Sequence, residues 1–252
     1  MPDRYAILHE LGLTPVWRLR ARSAEVAPER TDSAPAEAAP SGALAPPDRA
    51  ARIAALAWTD FAKDVSACTE CALCRTRQRA VPGVGDPCAE WLFVGEAPGA
   101  EEDAKGEPFV GQAGRLLDNM LAALAMKRGE NVYIANVLKC RPPNNRTPTP
   151  LESESCRPYL DRQIELIEPK LIVALGKSAA TTLLNVDASI ASLRGRLHRY
   201  RGVPLIVTYH PAYLLRNLPD KAKAWEDLCF ARATMRALQS GGNLQGGTVV
   251  PK

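Results

Sequence analysis

Four short apolar runs, at residues 91–94, 132–137, 171–175 and 205–208, have the length and aliphatic, β-branched character of strands buried on both faces. Between them the apolar positions change to a helical period. Leu116, Leu117, Met120, Leu121 and Leu124 predict a helix over 114–126, and comparable stretches predict helices over 152–167 and 178–184. Trp225, Leu228, Ala231, Met235 and Leu238 mark a last helix over 221–238. Upstream, Ile53, Leu56, Phe61 and Val65 predict one helix over 49–67. Strands alternating with helices imply an α/β fold of three layers, α/β/α, around a central four-stranded parallel sheet.

The ends read differently. Residues 1–22 form a short amphipathic extension in which Ile7, Leu8, Leu11 and Leu13 share a face before Gly12 and Pro15 interrupt it, a pattern suited to docking on a protein partner. Residues 23–48 are Ala, Pro, Glu and Ser with almost no large apolar side chain, and so read as a disordered linker. The expected domain is 49–240, with a flexible tail at 241–252.

Of the 252 residues, 46% are hydrophobic and 24% charged, with a net charge of +4. That surplus is too small to prove a polyanionic partner, though a local basic cleft could still serve one. No run approaches the roughly 20 apolar residues of a membrane span, and the start, MPDRYAILHE, lacks a secretory pattern. The expectation is a cytoplasmic monomer that does not associate with membrane.

In a reducing compartment the seven cysteines would not form a disulfide framework, and clustered thiols read as metal ligands. Cys68, Cys71 and Cys74 form C-x2-C-x2-C, while Cys140 and Cys156 lie in KCRPP and SCRPY. Four thiolates suit a tetrahedral zinc ion or an iron-sulfur cluster, and the wide spacing of Cys140 and Cys156 is compatible with a cubane without excluding zinc. Cys88 and Cys229 read as ordinary small thiols.

In a parallel sheet the ligand site gathers at the carboxyl ends of the strands. The segments there are GEAPG (95–99), NVLKCRPPNNR (136–146), GKSAA (176–180) and YHPAYLLR (209–216). The first lets backbone approach a ligand at its glycines, with Glu96 aimed at the site, and leads into an acidic loop, AEEDAKGEPFVG. GKS is not a Walker motif, because Leu171 stands where that motif needs glycine; it reads as a helix start. His210 stands at a strand end and suits anion stabilisation or proton transfer, whereas His9 and His198 read as ordinary surface or packing residues. Leu214 and Leu215 on a loop would be exposed without purpose unless they wedge into something apolar, such as a base stack.

Taken together, C-x2-C-x-L-x3-R (68–77), VPGVG, GEAPG, EPFVGQAGRLLD, NVLKCRPPNNRTP and HPAYLLR resemble the family 4, iron-sulfur branch of the uracil-DNA glycosylase superfamily over roughly 68–238. The resemblance implies a uracil-DNA glycosylase-like fold and a [4Fe-4S] cluster held by Cys68, Cys71, Cys140 and Cys156, with Cys74 an extra thiol. It also implies a monofunctional base-excision enzyme acting on uracil-containing DNA. Glu96 and His210 then match the catalytic residues. Phe109 matches the ring that stacks on the extruded base, Asn136 the amide that reads it, and Gly95 and Ala97 lie in the substrate motif. Leu214, with Leu215, would fill the gap left by the flipped nucleotide, and Arg77, Arg141, Arg146, Lys177 and Arg216 would contact phosphates. A related branch traps the abasic product on a histidine, and none lies between Asn136 and Cys156 here. Other readings are an iron-sulfur protein that binds uracil-containing DNA without turnover, a noncatalytic partner of a replication enzyme, and a zinc-binding nucleic-acid module. The presence of Glu96, Asn136 and His210 together favours catalysis.

Overall fold

The computed structural model describes residues 48–241, so the expectations for 1–22, for nearly all of 23–48 and for the tail lie outside the described residues. All four expected parallel strands form: β2 (Trp91–Gly95), β3 (Val132–Asn136), β4 (Leu171–Leu175) and β6 (Val203–Thr208). They belong to a six-stranded sheet of order β1-β3-β2-β4-β6-β5. Its two edges, β1 (Val84–Gly85) and β5 (Leu197–Tyr200), pair antiparallel to β3 and β6 and extend the expected four parallel strands to six.

Alternation along the strands divides the core between the two faces of the sheet. Leu92, Val94, Ala135, Ile172, Ala174, Leu205 and Val207 pack with Leu160 and Ile164 of α5 (Pro150–Ile167) and with Ala180 and Leu183 of α6 (Lys177–Leu184). Phe93, Ile134, Val173, Leu175 and Ile206 face the other way. They meet Leu117 and Leu121 of α4 (Gln112–Ala123) and Leu228, Ala231 and Met235 of α9 (Asp220–Gln239). This explains why the parallel strands are apolar up to their carboxyl ends, where Asn136 and Thr208 stand: the strand faces are turned from water.

Other helices differ from the sequence pattern. The expected helix over 49–67 is broken into α1 (Arg49–Ala54) and α2 (Trp58–Ala67), because Ala57 is extended and restarts the chain. The acidic stretch after GEAPG contains a helix, α3 (Ala100–Lys105), rather than loop alone. Its Asp103, 1% exposed, accepts the backbone N–H of Gln78 at 2.9 Å, so a carboxylate rather than an apolar stripe anchors it. The segment after β6 is also helical: α8 (Pro211–Leu214) follows α7 (Ile190–Leu193), with proline at its first position.

The sheet order reverses at β2, whose neighbours β3 and β4 lie on opposite sides. Ligand crevices open at such a reversal, beyond the carboxyl ends of the strands. Pairing continues past the strands there: Val137 N–H donates to Gly95 O at 3.0 Å and Leu138 N–H to Glu96 O at 3.1 Å. Residues 136–140 are buried without interruption, including Lys139. Lys139 Nζ donates to Asn136 O at 2.8 Å and to Gln163 Oε1.

Candidate active site

Two cavities sit at this end of the sheet. The first is lined by Glu96 and Ala97 from the turn after β2, Phe109 from the loop before α4, Asn136 from the end of β3 and His210 from the end of β6, with Arg146 and Arg216 at its side. Glycines make the arrangement possible. A Cβ on Gly95 would lie 2.4 Å from Asn136 Oδ1 and 2.6 Å from Phe109 Cζ, so its missing side chain gives both groups their place. Gly176, at φ +93°, stands where a Cβ would come within 2.8 Å of His210 Cβ.

The polar groups of this cavity are tuned by burial. Asn136 is 2% exposed, and among the described residues its Oδ1 has no hydrogen-bond partner, leaving an acceptor unsatisfied. His210 Nδ1 accepts the backbone N–H of Ala212 at 3.1 Å, so the proton of the neutral ring resides on Nε2. Desolvation, with Arg216 nearby, pulls the imidazole pKa down to about 4 although part of the residue meets solvent. Burial raises the pKa of Glu96, and a hydrogen bond with the Ser178 side chain opposes the shift. The rings of Phe109 and His210 are stacked, with centroids 5.5 Å apart and planes at 29°.

Glu102, which the sequence reading passed over, holds two loops at once. Its carboxylate accepts the N–H groups of Gly99 at 3.1 Å, Val110 at 2.9 Å and Gly111 at 3.1 Å, tying the GEAPG turn to the Phe109 loop. A glycine followed three residues later by glutamate, just before a helix, was the available signal.

The second cavity brings together Cys68, Cys71, Cys74, Cys140 and Cys156. All five are free thiols, and burial raises the pKa of Cys140 and pushes Cys156 up to about 12. Among the described residues, no three His, Cys, Asp or Glu side chains converge on a position for one metal ion. The donors nevertheless suit a larger thiophilic group that spreads its ligands apart. They are soft sulfurs around a common cavity, with cationic side chains directed at two of them. Arg77 Nη1 donates to Cys140 Sγ at 2.8 Å, and Arg49 Nη2 to Cys68 Sγ at 3.6 Å.

Several expected DNA contacts are corrected by this geometry. Arg77 is placed at the second cavity, where its other terminal nitrogen donates to Ser66 O at 2.6 Å and Cys68 O at 2.9 Å. Leu214 is 1% exposed and packs with Tyr209 and Ala224, so it is a core residue; the exposed leucine is Leu215, at 39%. Lys177 lies outside the first cavity, in a separate groove beside Asp187 at 3.7 Å. Arg146 remains at the first cavity while gripping Glu152 with both terminal nitrogens, at 2.8 and 2.6 Å. Arg141 donates to Asn145 at 2.7 Å.

Residues 82–229 match the family model described as the uracil DNA glycosylase superfamily. The chain is similar to the type-4 uracil-DNA glycosylase of Archaeoglobus fulgidus, 49% identical over 61% of this chain and 80% of that protein. Similarity to the type-4 uracil-DNA glycosylase of Thermotoga maritima is 48% over 63% of this chain and 83% of that protein. A type-5 uracil-DNA glycosylase of Pyrobaculum aerophilum stands further off, at 32% identity over 55% and 68%. With these cavities, this sheet order and relatives so similar over most of their length, the chain belongs to the uracil DNA glycosylase superfamily and groups with its type-4 members.

Proposed function

We propose that this protein excises uracil from DNA, hydrolysing the N-glycosidic bond of an extruded nucleotide and leaving an abasic site. The observation that carries the reading is the unsatisfied Oδ1 of buried Asn136, beside the ring of Phe109. A flat base against Phe109 would present its edge to that amide. Uracil offers an N3 hydrogen to Oδ1 and an O4 acceptor to the amide N–H, whereas cytosine offers an acceptor and an amino group, the reverse of what the amide needs. Leaving those groups unpaired costs about 1–3 kcal/mol each.

The bond between C1′ and N1 breaks with its electron pair going to the base. Neutral His210 donates from Nε2 to uracil O2, where charge develops, without first losing a proton. Glu96 as carboxylate favours the sugar cation and orients the water whose oxygen bonds to C1′, taking up the proton that the water releases. The reaction is read as hydrolysis without strand cleavage, with no step assigned to a lysine. Extruding the base leaves a gap that exposed Leu215 is suited to fill. Arg141, Arg146 and Arg216 would attract the phosphates.

Cys68, Cys71, Cys140 and Cys156 would hold a [4Fe-4S] cluster, with Cys74 the spare thiol. Bound there, it supplies a covalent tie between the segment before β1 and the segments around α5. Among the described residues no helix is long and apolar enough to cross a membrane. DNA is the proposed partner, with residues 1–22 a candidate docking segment for another protein.

The test is excision from a labelled oligonucleotide with one uracil, followed by alkali, for wild type and Asn136→Ala. Release by wild type and near loss in the variant are expected. A folded, iron-loaded wild type that releases no uracil would overturn the reading.

A further inference from the structure

Phe109 adopts φ 55°, in the left-handed region that a bulky residue avoids, and it does so at the wall of the first cavity. Something must hold it there. Its carbonyl lies over the first turn of α4, where a Cβ on Gly114 would come within 1.8 Å of Phe109 O, so only glycine leaves room for that peptide. The carbonyls of Pro108 and Phe109 are gripped by one guanidinium: Arg128 Nη1 donates to Pro108 O at 2.9 Å and Nη2 to Phe109 O at 2.8 Å. Asp118 on α4 in turn accepts Arg128 Nε at 3.0 Å, which fixes the plane of the fork. On the far side of Phe109, Glu102 holds the next two amides.

We propose that Arg128 is a positioning residue for base recognition: with Gly114 and Glu102 it holds Phe109 in its left-handed conformation, so that the ring stands ready as a stacking platform. The inference rests on the reading of Phe109 as the surface that receives the extruded base. Arg128 does not line the cavity, and so acts through Phe109 rather than on substrate. A planar fork is required, because two adjacent carbonyls and a carboxylate must be met in one plane; a lysine ammonium meets at most part of this.

The experiment compares wild type, Arg128→Met and Phe109→Ala in two binding measurements. One is inhibition by free uracil, which reads the base pocket, Phe109 together with Asn136 and His210, without the phosphate contacts. The other is affinity for an oligonucleotide bearing a stable abasic analogue, which reads the phosphate contacts. Arg128→Met should raise the uracil inhibition constant by about tenfold, the size of a weakened base–aromatic stack, and leave abasic-DNA affinity within about twofold. A general loss of folding would weaken both together. If Arg128→Met does not fold, Arg128→Lys is read in the same way, with a smaller rise expected. Unchanged uracil inhibition in a folded Arg128 variant overturns the proposal when Phe109→Ala does raise the constant. If Phe109→Ala also leaves it unchanged, the stacking reading of Phe109 fails and the proposal falls with it.

Discussion

Replacing Gly95 by alanine tests the pocket at its tightest point. The new methyl would come within 2.4 Å of Asn136 Oδ1 and 2.6 Å of Phe109 Cζ, both far inside contact distance. The backbone cannot move to relieve it, because Gly95 is paired in register with Asn136 and its carbonyl accepts Val137 N–H at 3.0 Å. The amide and the ring must give way instead. Base–aromatic stacking is worth ~1–3 kcal/mol, and a misdirected buried amide leaves a polar group unpaired at about 1–3 kcal/mol. Partial loss of both, about 3 kcal/mol, lowers kcat/KM by roughly two orders of magnitude. Overpacking should cost the fold about 1–3 kcal/mol, a fall in Tm of roughly 2–10 °C. Single-turnover excision on a uracil oligonucleotide, beside a thermal melt, measures both effects. A rate within about threefold of wild type, less than 1 kcal/mol, would refute the placement of uracil between Asn136 and Phe109.

Other expectations follow from the same cavities. Because burial raises the pKa of Glu96 above the ordinary 4.5, the rate should fall with decreasing pH through an apparent pKa above 4.5, and Glu96→Gln should remove that limb. His210, neutral down to about 4, should add no inflection near 6.5; a limb at 6.5 that disappears in His210→Asn contradicts a neutral ring in the cavity. Its depressed pKa also means that its contribution to stability is complete above about 6.5 and lost as pH falls towards about 4, which melts of wild type and His210→Asn across that range would reveal. Arg77→Met should lower iron and sulfide per chain and speed bleaching in air; unchanged loading would show that its bond to Cys140 Sγ does not support the cluster. Leu214→Ala should cost about 2–5 kcal/mol of stability as a core truncation. Leu215→Ala should spare stability and slow excision from duplex more than from single strands, and equal slowing of both would remove Leu215 as the wedge.

The parallel strands were legible because burial on both faces leaves an unbroken apolar run, and the helices of the outer layers because one stripe of each meets the sheet. The edges were not. β1 is only Val84–Gly85, and β5 reads LHRY, in which half-exposed positions erase the signal. Helix α3 escaped notice because its buried side chain is Asp103, and the break between α1 and α2 falls in a run of alanines that suits a helix. At the candidate site, the groups expected to face the base lie in motifs and came together. The residues behind them were harder to find: Glu102 and Arg128 work on backbone amides and carbonyls, and only Glu102 left a trace, its spacing from Gly99. Arg77 and Leu214 show the converse difficulty. An arginine near a motif and a leucine near a turn look the same in sequence whether they face DNA or the interior.

Asn136 and Cys140 are separated by three residues, and the stretch is buried from end to end, with Lys139 pinned back onto Asn136 O. One end faces the first cavity and the other the second. Adding or removing one residue here would change the separation of the two ends, drawing Asn136 from its pocket or Cys140 from its sulfur neighbours. Substitutions at Val137 or Leu138 change volume and can be absorbed by repacking; a change in count has no neighbour able to absorb it. The stretch therefore works as a spacer of fixed length, and redesign of base preference in this protein must work by exchange of side chains rather than by lengthening the loop.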